Sequence, residues 1–365
     1  MYQAPLPTVY ADMTPEEADA RIVAAKKVLG SRLVVLGHHY QQNAIIRHAD
    51  YRGDSYKLAK DASRHPEAEF IVFCGVHFMA ESADILSGDD QHVILPNLAA
   101  GCSMADMANL FQVRTCWQEL EKVLGPQTKI TPVTYINSAA NLKAFVGERG
   151  GTVCTSSNAS KAVSWALEQG DKVLFFPDQH LGRNTGVALG YDPDSDMVVW
   201  DPFKPLGGNS PERIREAKFI LWKGHCSVHK RFTVEQIEQA RREHPGITVI
   251  VHPECPLDVV RAADLSGSTE TILHTIEAAP AGSTWAIGTE INLVSRLAKE
   301  HPDKTIFCLD PQICPCSTMY RIHPSFLCWV LEELVAGQVP NEIVVPPKVK
   351  HFAKLALDRM LTVCS

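Results

Sequence analysis

RLVVLGHHY, residues 32–40, is a short apolar run that ends in polar residues. Two later stretches repeat this pattern, KITPVTYIN at 129–137 and GITVIVHPE at 246–254. Runs of this length and composition are typical of buried β-strands. Because residues i and i+2 of a strand point to the same side, the two polar residues that close each run are predicted to face one side at its carboxyl end. These pairs are His38 and Tyr40, Tyr135 and Asn137, and His252 and Glu254.

Each run opens a longer repeat: a helix, a corner rich in Ser and Thr, a second helix, a buried strand, and a last strand that leads to a cysteine. Sixty-four positions separate His38 from Cys102 and also His252 from Cys316, which favours Cys316 over its neighbour Cys314. The corners contain Asp54-Ser55, Thr155-Ser156-Ser157-Asn158 and Ser266-Gly267-Ser268-Thr269. The cysteines are Cys102, Cys226, and either Cys316 or Cys314.

The middle repeat is longer, with 91 positions between Tyr135 and Cys226. Most of the excess lies in residues 183–213, whose Gly, Pro and Asp content predicts a long surface loop. Alternating strands and helices predict parallel sheets with helical crossovers. We therefore predict an α/β fold of three αβα units with small parallel sheets, related by a pseudo-threefold axis. The predicted units are residues 20–115, 116–235 and 236–344, with C-terminal helices at 345–365 packed on the first unit.

The composition excludes several classes of protein. A net charge of −7, without a cluster of Lys and Arg, argues against a nucleic-acid partner. No apolar run reaches about 18 residues, so no membrane span is expected. The first twenty residues lack the pattern of a secretory signal. Eleven cysteines without such a signal indicate a reducing, cytoplasmic compartment, in which a disulfide framework is not expected.

Three cysteines from three equivalent repeats could converge on one metal centre. Thiolates ligate zinc or an iron–sulfur cluster, but structural zinc usually shows close CxxC or CxxH pairs, and the CPC spacing is too tight for one. Widely separated single cysteines suit a cubane cluster better. Three thiolates would leave one iron open as a Lewis acid, which favours dehydration or condensation over electron transfer. For any single cysteine, packing in the core is the alternative.

The polar residues at the strand ends are candidates for acid–base chemistry. His38, His252 and Glu254 could transfer protons, and the Ser/Thr corners could bind anions at helix N-termini. The alternatives are polar side chains satisfied at strand ends and simple N-capping of the helices. His229, three residues after Cys226, is either a partner near the cluster or the start of a helix.

Together and in this order, GHHYQ, GDS, CSMAD, TYINSAA, CTSSNA, FFPDQHLGRN, WKGHCSVHKRF, VHPEC, GSTE and the CPC segment resemble the quinolinate synthase (NadA) family, over residues 33–334. The resemblance implies a transferase of de novo NAD biosynthesis. It would condense iminoaspartate with dihydroxyacetone phosphate, release phosphate and two waters, and form quinolinate. It also implies three αβα domains with the active site and a 4Fe-4S cluster at their central junction, the cluster held by three cysteines with one open iron.

The resemblance assigns site residues one by one. The cluster ligands fall on Cys102 and Cys226, and the third falls on Cys316 or Cys314. Catalytic roles fall on Glu254, His252, Tyr40 and His38. Substrate contacts fall on His38, Ser55, Tyr135, Asn137, Ser156, His252, Glu254, Ser268 and Thr269, with Ser268 and Thr269 holding the phosphate and Tyr135, Asn137 and Ser156 positioning carboxylates.

Some family members carry a CxxCxxC segment where this chain has CPC, so redox control through that segment cannot be carried over. Iminoaspartate hydrolyses readily, and hand-off from an aspartate-oxidising enzyme is therefore expected from the pathway. One alternative function is another cluster-dependent hydro-lyase with aconitase-like chemistry. A zinc or iron–sulfur sensor is the other, and it would need a DNA- or partner-binding element that this acidic chain does not show.

Overall fold

The computed structural model describes residues 3–310, 312 and 315–363. Within these residues thirteen strands form three sheets, and the strands of each sheet pair in parallel. The predicted α/β class with three small parallel sheets is thereby confirmed. The chain divides into two compact units. The smaller unit contains Met1–Cys102, Glu290–Arg296 and Ile313–Pro346, and the larger contains Ser103–Thr289, Leu297–Gln312 and Pro347–Ser365.

The strands of each sheet come from one continuous part of the chain. The first sheet, in the smaller unit, contains β1 (Leu33–His38), β2 (Tyr51–Gly53), β3 (Phe70–Cys74) and β4 (His92–Ile94). The second, in the larger unit, contains β5 (Ile130–Tyr135), β6 (Thr152–Cys154), β7 (Lys172–Phe176), β8 (Met197–Trp200) and β9 (Phe219–Trp222). The third, also in the larger unit, contains β10 (Thr248–Val251), β11 (Leu265–Ser266), β12 (Thr284–Gly288) and β13 (Thr305–Cys308).

Helices connect these strands. They are α1 (Thr8–Ala11), α2 (Pro15–Leu29), α3 (Asn43–Ile46), α4 (Ser55–Ala62), α5 (His77–Leu86), α6 (Ser103–Asp106), α7 (Leu110–Leu124), α8 (Ala140–Glu148), α9 (Ala159–Gln169), α10 (Gln179–Ala188), α11 (Pro211–Glu216), α12 (Val234–Glu243), α13 (Leu257–Ala262), α14 (Thr269–Ala278), α15 (Ile291–Glu300), α16 (Pro324–Val335) and α17 (Pro347–Val363). Four short 3-10 helices in the described residues are Gly30–Arg32, Pro205–Gly208, His229–Arg231 and Met319–Arg321.

The first three strands of each repeat lie in the same order in all three sheets. They run β2-β1-β3-β4, β6-β5-β7-β9-β8 and β11-β10-β12-β13, so that in each the opening strand lies between the second and third strands of its repeat. Every residue of β1, β3, β5 and β7 is buried, as expected for parallel strands with helices on both faces. The repeat seen in the sequence is therefore a repeat of topology. The boundaries of three separate domains stay a prediction.

The insert of the second repeat is not the long surface loop that its composition predicts. Residues 183–213 include the end of α10, the strand β8 and the start of α11. The strand pairs in parallel with β9 and adds a fifth strand at the edge of the sheet. Its four residues MVVW are apolar and mostly buried, and this burial outweighs the turn-forming residues on either side.

The C-terminal helix α17 packs on the second repeat, so the prediction that it packs on the first unit is wrong. It lies along α8 and contacts β6 and α9. A Cβ at Gly147 of α8 would overlap the carbonyl oxygen of Phe352, so the glycine lets the two backbones approach closely. Arg359 also donates to the carbonyl of Gly151. The buried side chains of α17 are Ala353, Ala356, Leu357 and Met360.

Candidate active site

A buried hydrogen-bonded network lies in the larger unit. The hydroxyl of Tyr135 donates to Oε1 of Glu254 at 2.6 Å. Nδ1 of His229 lies 2.8 Å from Oε2 of the same carboxylate, and Nε2 of His229 lies 3.1 Å from Oγ1 of Thr289. His252 stacks on His229 with ring centroids 4.3 Å apart. All five side chains are buried, so their polar atoms depend on one another rather than on bulk water.

The parallel strands bring this network together. Tyr135 is the last residue of β5, while His252 and Thr289 directly follow β10 and β12. His229 begins a 3-10 helix after β9, so its predicted role as a helix start is found, and its role as a partner near a cluster stays a prediction. The network joins the carboxyl ends of strands from the second and third sheets, where α/β proteins bind ligands. Thr289 was not predicted, because no local sequence signal marks a threonine after a strand as functional.

The charges in the network are set by burial and by its histidines. Burial acts to raise the pKa of Glu254, but His229, His252 and the hydrogen bond from Tyr135 outweigh it and lower the pKa to about 2. Burial and the charge of His229 lower the pKa of His252 to about 3. At neutral pH Glu254 is therefore a carboxylate and His252 a neutral imidazole. This arrangement can accept a proton on a buried oxygen.

His252 and His38 make the same local contact in the third and first repeats. Nδ1 of His252 accepts the amide hydrogen of Glu254 at 3.3 Å, and Nδ1 of His38 accepts that of Tyr40 at 3.1 Å. The neutral ring of His252 therefore carries its proton on Nε2. Because β10 ends at Val251, His252 and Glu254 are not two residues of one strand. They lie in a turn that is stabilised by the hydrogen bond from the Glu254 amide to Nδ1 of His252.

In the smaller unit, His38 is the last residue of β1 and Tyr40 comes two positions later, with the two ring centroids 4.9 Å apart. The carbonyl of Tyr40 accepts a hydrogen bond from Nδ2 of Asn292 at 3.3 Å. Arg296 donates to the carbonyl of His39. The start of α15 thus holds the turn that carries His38 and Tyr40.

Two of the Ser/Thr corners act as helix starts. Ser268 is buried and caps α14 by accepting the amide hydrogen of Thr271 at 3.3 Å. Thr269, also buried, is the first residue of that helix. Ser55 is the first, half-buried residue of α4, which Asp54 caps. The N-capping alternative is therefore confirmed for Ser268, and anion binding at these corners stays a prediction.

The corner of the second repeat carries buried polar atoms that lack partners. The amide of Ile136 donates to the carbonyl of Cys154 at 2.8 Å, which places the following residues, Asn137 and Thr155, beside one another. Oδ1 of Asn137 and Oγ1 of Thr155 are buried and have no hydrogen-bond partner among the described residues. Such atoms are costly without a ligand. Ser156, the residue chosen from the sequence, follows and is half-buried.

The cysteines separate into two groups. Burial raises the pKa of the Cys74 and Cys328 thiols to about 12, as expected for cysteines of the core. Cys314 lies outside the described residues. Of the nine cysteines described, the buried ones are Cys74, Cys116, Cys154, Cys255 and Cys328, and the half-buried ones are Cys102, Cys226, Cys308 and Cys316. The three cysteines favoured by the repeat all belong to the half-buried group.

Cys226 and Cys316 begin the same kind of turn. The carbonyl of Cys226 accepts the amide hydrogen of Lys230 at 3.0 Å, and that of Cys316 accepts the amide hydrogen of Tyr320 at 3.0 Å. A 3-10 helix starts three residues after each cysteine. The sequences CSVHKRF and CSTMYRI align without a gap, a second signal that favours Cys316 over Cys314.

Two buried carboxyl groups, Asp178 and Glu290, were not predicted from the sequence. Each stands two positions after the third strand of its repeat and directly before a helix. Burial raises the pKa of Glu290 to about 7. Burial and the neighbouring charge of Glu254 raise the pKa of Asp178 well above its ordinary value. The signal that could have found them is an acidic residue at one place in two repeats, in PDQHL and GTEINL.

The fold and the network define an α/β protein with a buried cluster of ionisable side chains at the carboxyl ends of parallel strands. Among the helices of the described residues, none combines the length and the apolar character needed to cross a membrane.

Residues 20–362 match the family model of the quinolinate synthetase A protein, NadA. The chain is 62% identical over 361 residues to a quinolinate synthase of Corynebacterium glutamicum, covering 99% of this chain and 91% of the relative. It is 57% identical over 355 residues to a quinolinate synthase of Herpetosiphon aurantiacus, covering 97% and 94%. It is 54% identical over 356 residues to one from Geobacillus sp., covering 98% and 96%. The chain therefore belongs to the quinolinate synthetase A family of enzymes, and the resemblance seen in the sequence is confirmed.

Proposed function

We propose that this enzyme condenses iminoaspartate with dihydroxyacetone phosphate to form quinolinate, as a transferase of NAD biosynthesis. One phosphate and two waters leave, and with quinolinate they account for every atom of the two substrates. The observation that carries the proposal is the buried contact of Tyr135 and His229 with the two oxygens of Glu254. The relatives, which are named quinolinate synthases, supply the product.

The condensation requires carbon-bound protons to be removed and hydroxyl groups to leave as water. Glu254 is ionised and buried, so its carboxylate can take a proton from a substrate carbon without competition from bulk water, provided that the carbon is already acidified, because a pKa of about 2 makes Glu254 a weak base. Tyr135 and His229 keep both oxygens in place while the proton is held. His252 is neutral with its proton on Nε2, which can donate a hydrogen bond to the oxygen of a leaving hydroxyl. The proton that Glu254 takes from carbon can then leave with that hydroxyl as water.

Substrate carboxylates and phosphate need donors. The free hydroxyl of Thr155 can donate to a carboxylate, and Oδ1 of Asn137 can accept from an imine N–H. Ser268 and Thr269 stand at the N-terminus of the ten-residue helix α14, a position that favours phosphate. The remaining contacts implied by the family resemblance are those of His38, Tyr40 and Ser55 in the smaller unit and of Ser156 in the larger.

The residues present fit a 4Fe-4S cluster. Cys102, Cys226 and Cys316 are half-buried, unlike the core cysteines. Each follows the last strand of its repeat in chain order, and these strands are β4, β9 and β13. We propose that these three thiolates hold the cluster and leave one iron open. When bound, such a cluster supplies a Lewis acid that polarises a substrate oxygen.

The proposal is tested with anaerobically purified enzyme that has been reconstituted with iron and sulfide. Dihydroxyacetone phosphate and freshly generated iminoaspartate are added, and quinolinate is measured by chromatography. We expect about four irons and four sulfides per chain with broad absorption near ~400 nm. Separate Ser variants of Cys102, Cys226 and Cys316 should lose both cluster and product, while Cys116→Ala, in the core, should keep both.

Three outcomes would overturn parts of the proposal. Cluster-replete enzyme that forms no quinolinate would favour the aconitase-like hydro-lyase. Enzyme that retains stoichiometric zinc and takes up no iron and sulfide on reconstitution would exclude the cluster. Loss of the cluster in Cys314→Ser but not in Cys316→Ser would move the third ligand. Hand-off of iminoaspartate from an aspartate-oxidising enzyme is tested by adding such an enzyme with aspartate and comparing the yield with that from free iminoaspartate.

A further inference from the structure

Asp178 and Glu290 are equivalent residues of the second and third repeats. β7 ends at Phe176 and β12 ends at Gly288, so each carboxyl group comes two positions later. Each side chain is wholly buried, with a relative exposure of 0%. In the first repeat the same position, two after the end of β3, is Val76, whose side chain has no acceptor atom.

Glu290 connects the start of α15 to Cys316 within the smaller unit. Oε2 accepts the amide hydrogen of Asn292 at 2.7 Å. Oε1 accepts the amide hydrogen of Cys316 at 3.2 Å and the side-chain amide of Asn292 at 2.9 Å. The amide of Leu293 lies near this carboxyl group and acts to lower its pKa. One carboxyl group thus lies beside two amides at the start of a helix and accepts a hydrogen bond from the amide of a candidate cluster ligand.

Asp178 has the same surroundings within the larger unit. Oδ1 accepts the amide hydrogens of His180 and Leu181 at 2.7 and 2.8 Å. Asp178 forms a parallel bridge with Gly224, two residues before Cys226. The amide of Cys226 lies near enough to this carboxyl group to act to lower its pKa, although Oδ2 of Asp178 accepts no hydrogen bond from the described residues. In both repeats the carboxyl group therefore lies beside the amides two and three positions later and beside the amide of the cysteine, and in the third repeat it accepts a hydrogen bond from that cysteine amide.

We propose that Asp178 and Glu290 are positioning residues, which hold the backbone amides of Cys226 and Cys316 so that the two thiols are fixed for cluster binding. The inference rests on the proposed function, because it assumes that these cysteines are ligands. A cysteine whose amide is held in place has fewer directions open to its Sγ, so less order must be gained when the cluster binds. Groups that orient a metal ligand commonly change metal affinity about 10- to 100-fold when removed.

Hydrogen exchange of the full-length chain after anaerobic removal of any cluster tests the contacts directly. Asp178→Asn keeps an oxygen that caps α10, since Asn is as good a cap as Asp, but its NH₂ group cannot accept from Cys226. We expect exchange at the Cys226 amide to become at least about tenfold faster, with no change at Cys316. Glu290→Met should speed exchange at the Cys316 amide and leave exchange at the Cys226 amide unchanged. Glu290→Gln, which keeps one acceptor oxygen, should give a Cys316 exchange rate between those of Glu290→Met and wild type.

Asp264→Asn is the matched control. Asp264 also accepts a backbone amide, that of Val249 at 2.7 Å, but at the start of β10 and away from the cysteines. It should change exchange at neither cysteine. In reconstituted enzyme, Asp178→Asn and Glu290→Met should release iron to a chelator about tenfold faster than wild type or Asp264→Asn. Thermal unfolding of each cluster-free variant checks its fold, and Asp178→Ser, which also retains a cap, replaces Asp178→Asn should that variant unfold.

The outcomes separate this proposal from the function on which it rests. Two results would overturn the positioning roles alone. One is unchanged exchange at both cysteine amides in the variants. The other is iron release from the variants that is as slow as from wild type, in a wild type that holds its cluster. Exchange that rises equally at Cys226 and Cys316 in each variant would also overturn them, because the contacts are specific to one repeat. A wild-type enzyme that takes up no cluster would overturn the proposed cofactor, whatever the exchange rates show.

Discussion

At the scale of single residues, Tyr135 is the donor on which the buried carboxylate of Glu254 depends. Tyr135→Phe leaves Oε1 without that hydrogen bond, at a cost of about 1–3 kcal/mol in the free energy of unfolding. We expect kcat to fall about 100-fold, in line with the usual contribution of a positioned proton-transfer group. Steady-state quinolinate formation and thermal unfolding measure the two effects.

Tyr191→Phe is the control for this change. Tyr191 lies in the larger unit with its ring against Phe219, 5.0 Å between centroids, and takes no part in the network. It should keep the wild-type kcat. A wild-type kcat in Tyr135→Phe would show that Glu254 works without its tyrosine donor.

A second candidate metal site is formed by Cys226, His229 and Glu254. One ligand atom from each lies within 4.8 Å of the other two. A thiolate, an imidazole and a carboxylate are ligands that Zn²⁺ accepts. We expect cluster-free enzyme to bind one Zn²⁺ per chain, as measured by competition with a coloured chelator.

The variants of this trio should differ from those of the other cysteines. Cys226→Ser and Glu254→Gln should weaken Zn²⁺ binding at least about 100-fold, because loss of a direct ligand should exceed the usual cost of losing an outer contact. Cys102→Ser should bind Zn²⁺ as wild type does. Equal binding by wild type and Cys226→Ser would place the zinc elsewhere.

At the scale of elements, the sequence predicts those strands and helix caps that depend only on residues nearby in the chain. The opening strands of the repeats are found as expected, and so are the helix caps in the first and third corners, because β-branched runs and cap residues act within a few positions. β8 was missed, since four apolar residues stand among turn-forming ones. The partner of α17 was missed because its packing depends on the close approach allowed by Gly147, which no periodicity reveals.

Gly147 therefore gives an element-scale prediction. Gly147→Ala places a Cβ against the backbone of Phe352, so α8 and α17 must separate. Forced repacking of this kind costs about 1–3 kcal/mol. We expect a lower melting temperature and faster proteolysis at the C-terminal helix. Gly88→Ala is the control, because the nearest atom to its Cβ would be 3.6 Å away, an ordinary contact; equal stability of the two variants would contradict the argument.

At the scale of the whole molecule, the site depends on contacts far apart in the chain. Tyr135, His252 and Glu254 were each predicted from their own strand end. The contact between Tyr135 and Glu254 spans 119 positions and depends on how the second and third sheets pack, which no local signal specifies. The same limit explains why Asp178 and Glu290 were missed, since each looks like an ordinary helix cap until its cysteine partner is seen.

Stability against acid is a property of the whole molecule that buried histidines should control. Burial, followed by the charge of Arg183, lowers the pKa of His180 to about 4, and the pKa of His252 is lowered to about 3. A histidine of the unfolded chain titrates near 6.5. Between about pH 6.5 and pH 4 the unfolded chain therefore binds protons that the folded chain does not. The stabilisation is complete above about pH 6.5 and is lost as the pH falls.

Between pH 7 and pH 5 the raised pKa values of Glu290 and Asp178 act in the opposite direction, so the test is the difference between two proteins. As the pH falls through this range, we expect the melting temperature of His180→Gln, which cannot take up the proton on unfolding, to rise relative to that of wild type. Each such histidine contributes at most about 1.4 kcal/mol per pH unit to the free energy of unfolding. His351→Gln, an exposed position on α17, should follow the wild-type slope. If His180→Gln also follows it, the His180 ring is not held neutral in the folded enzyme, and acid sensitivity must come from His252 or from groups other than these two.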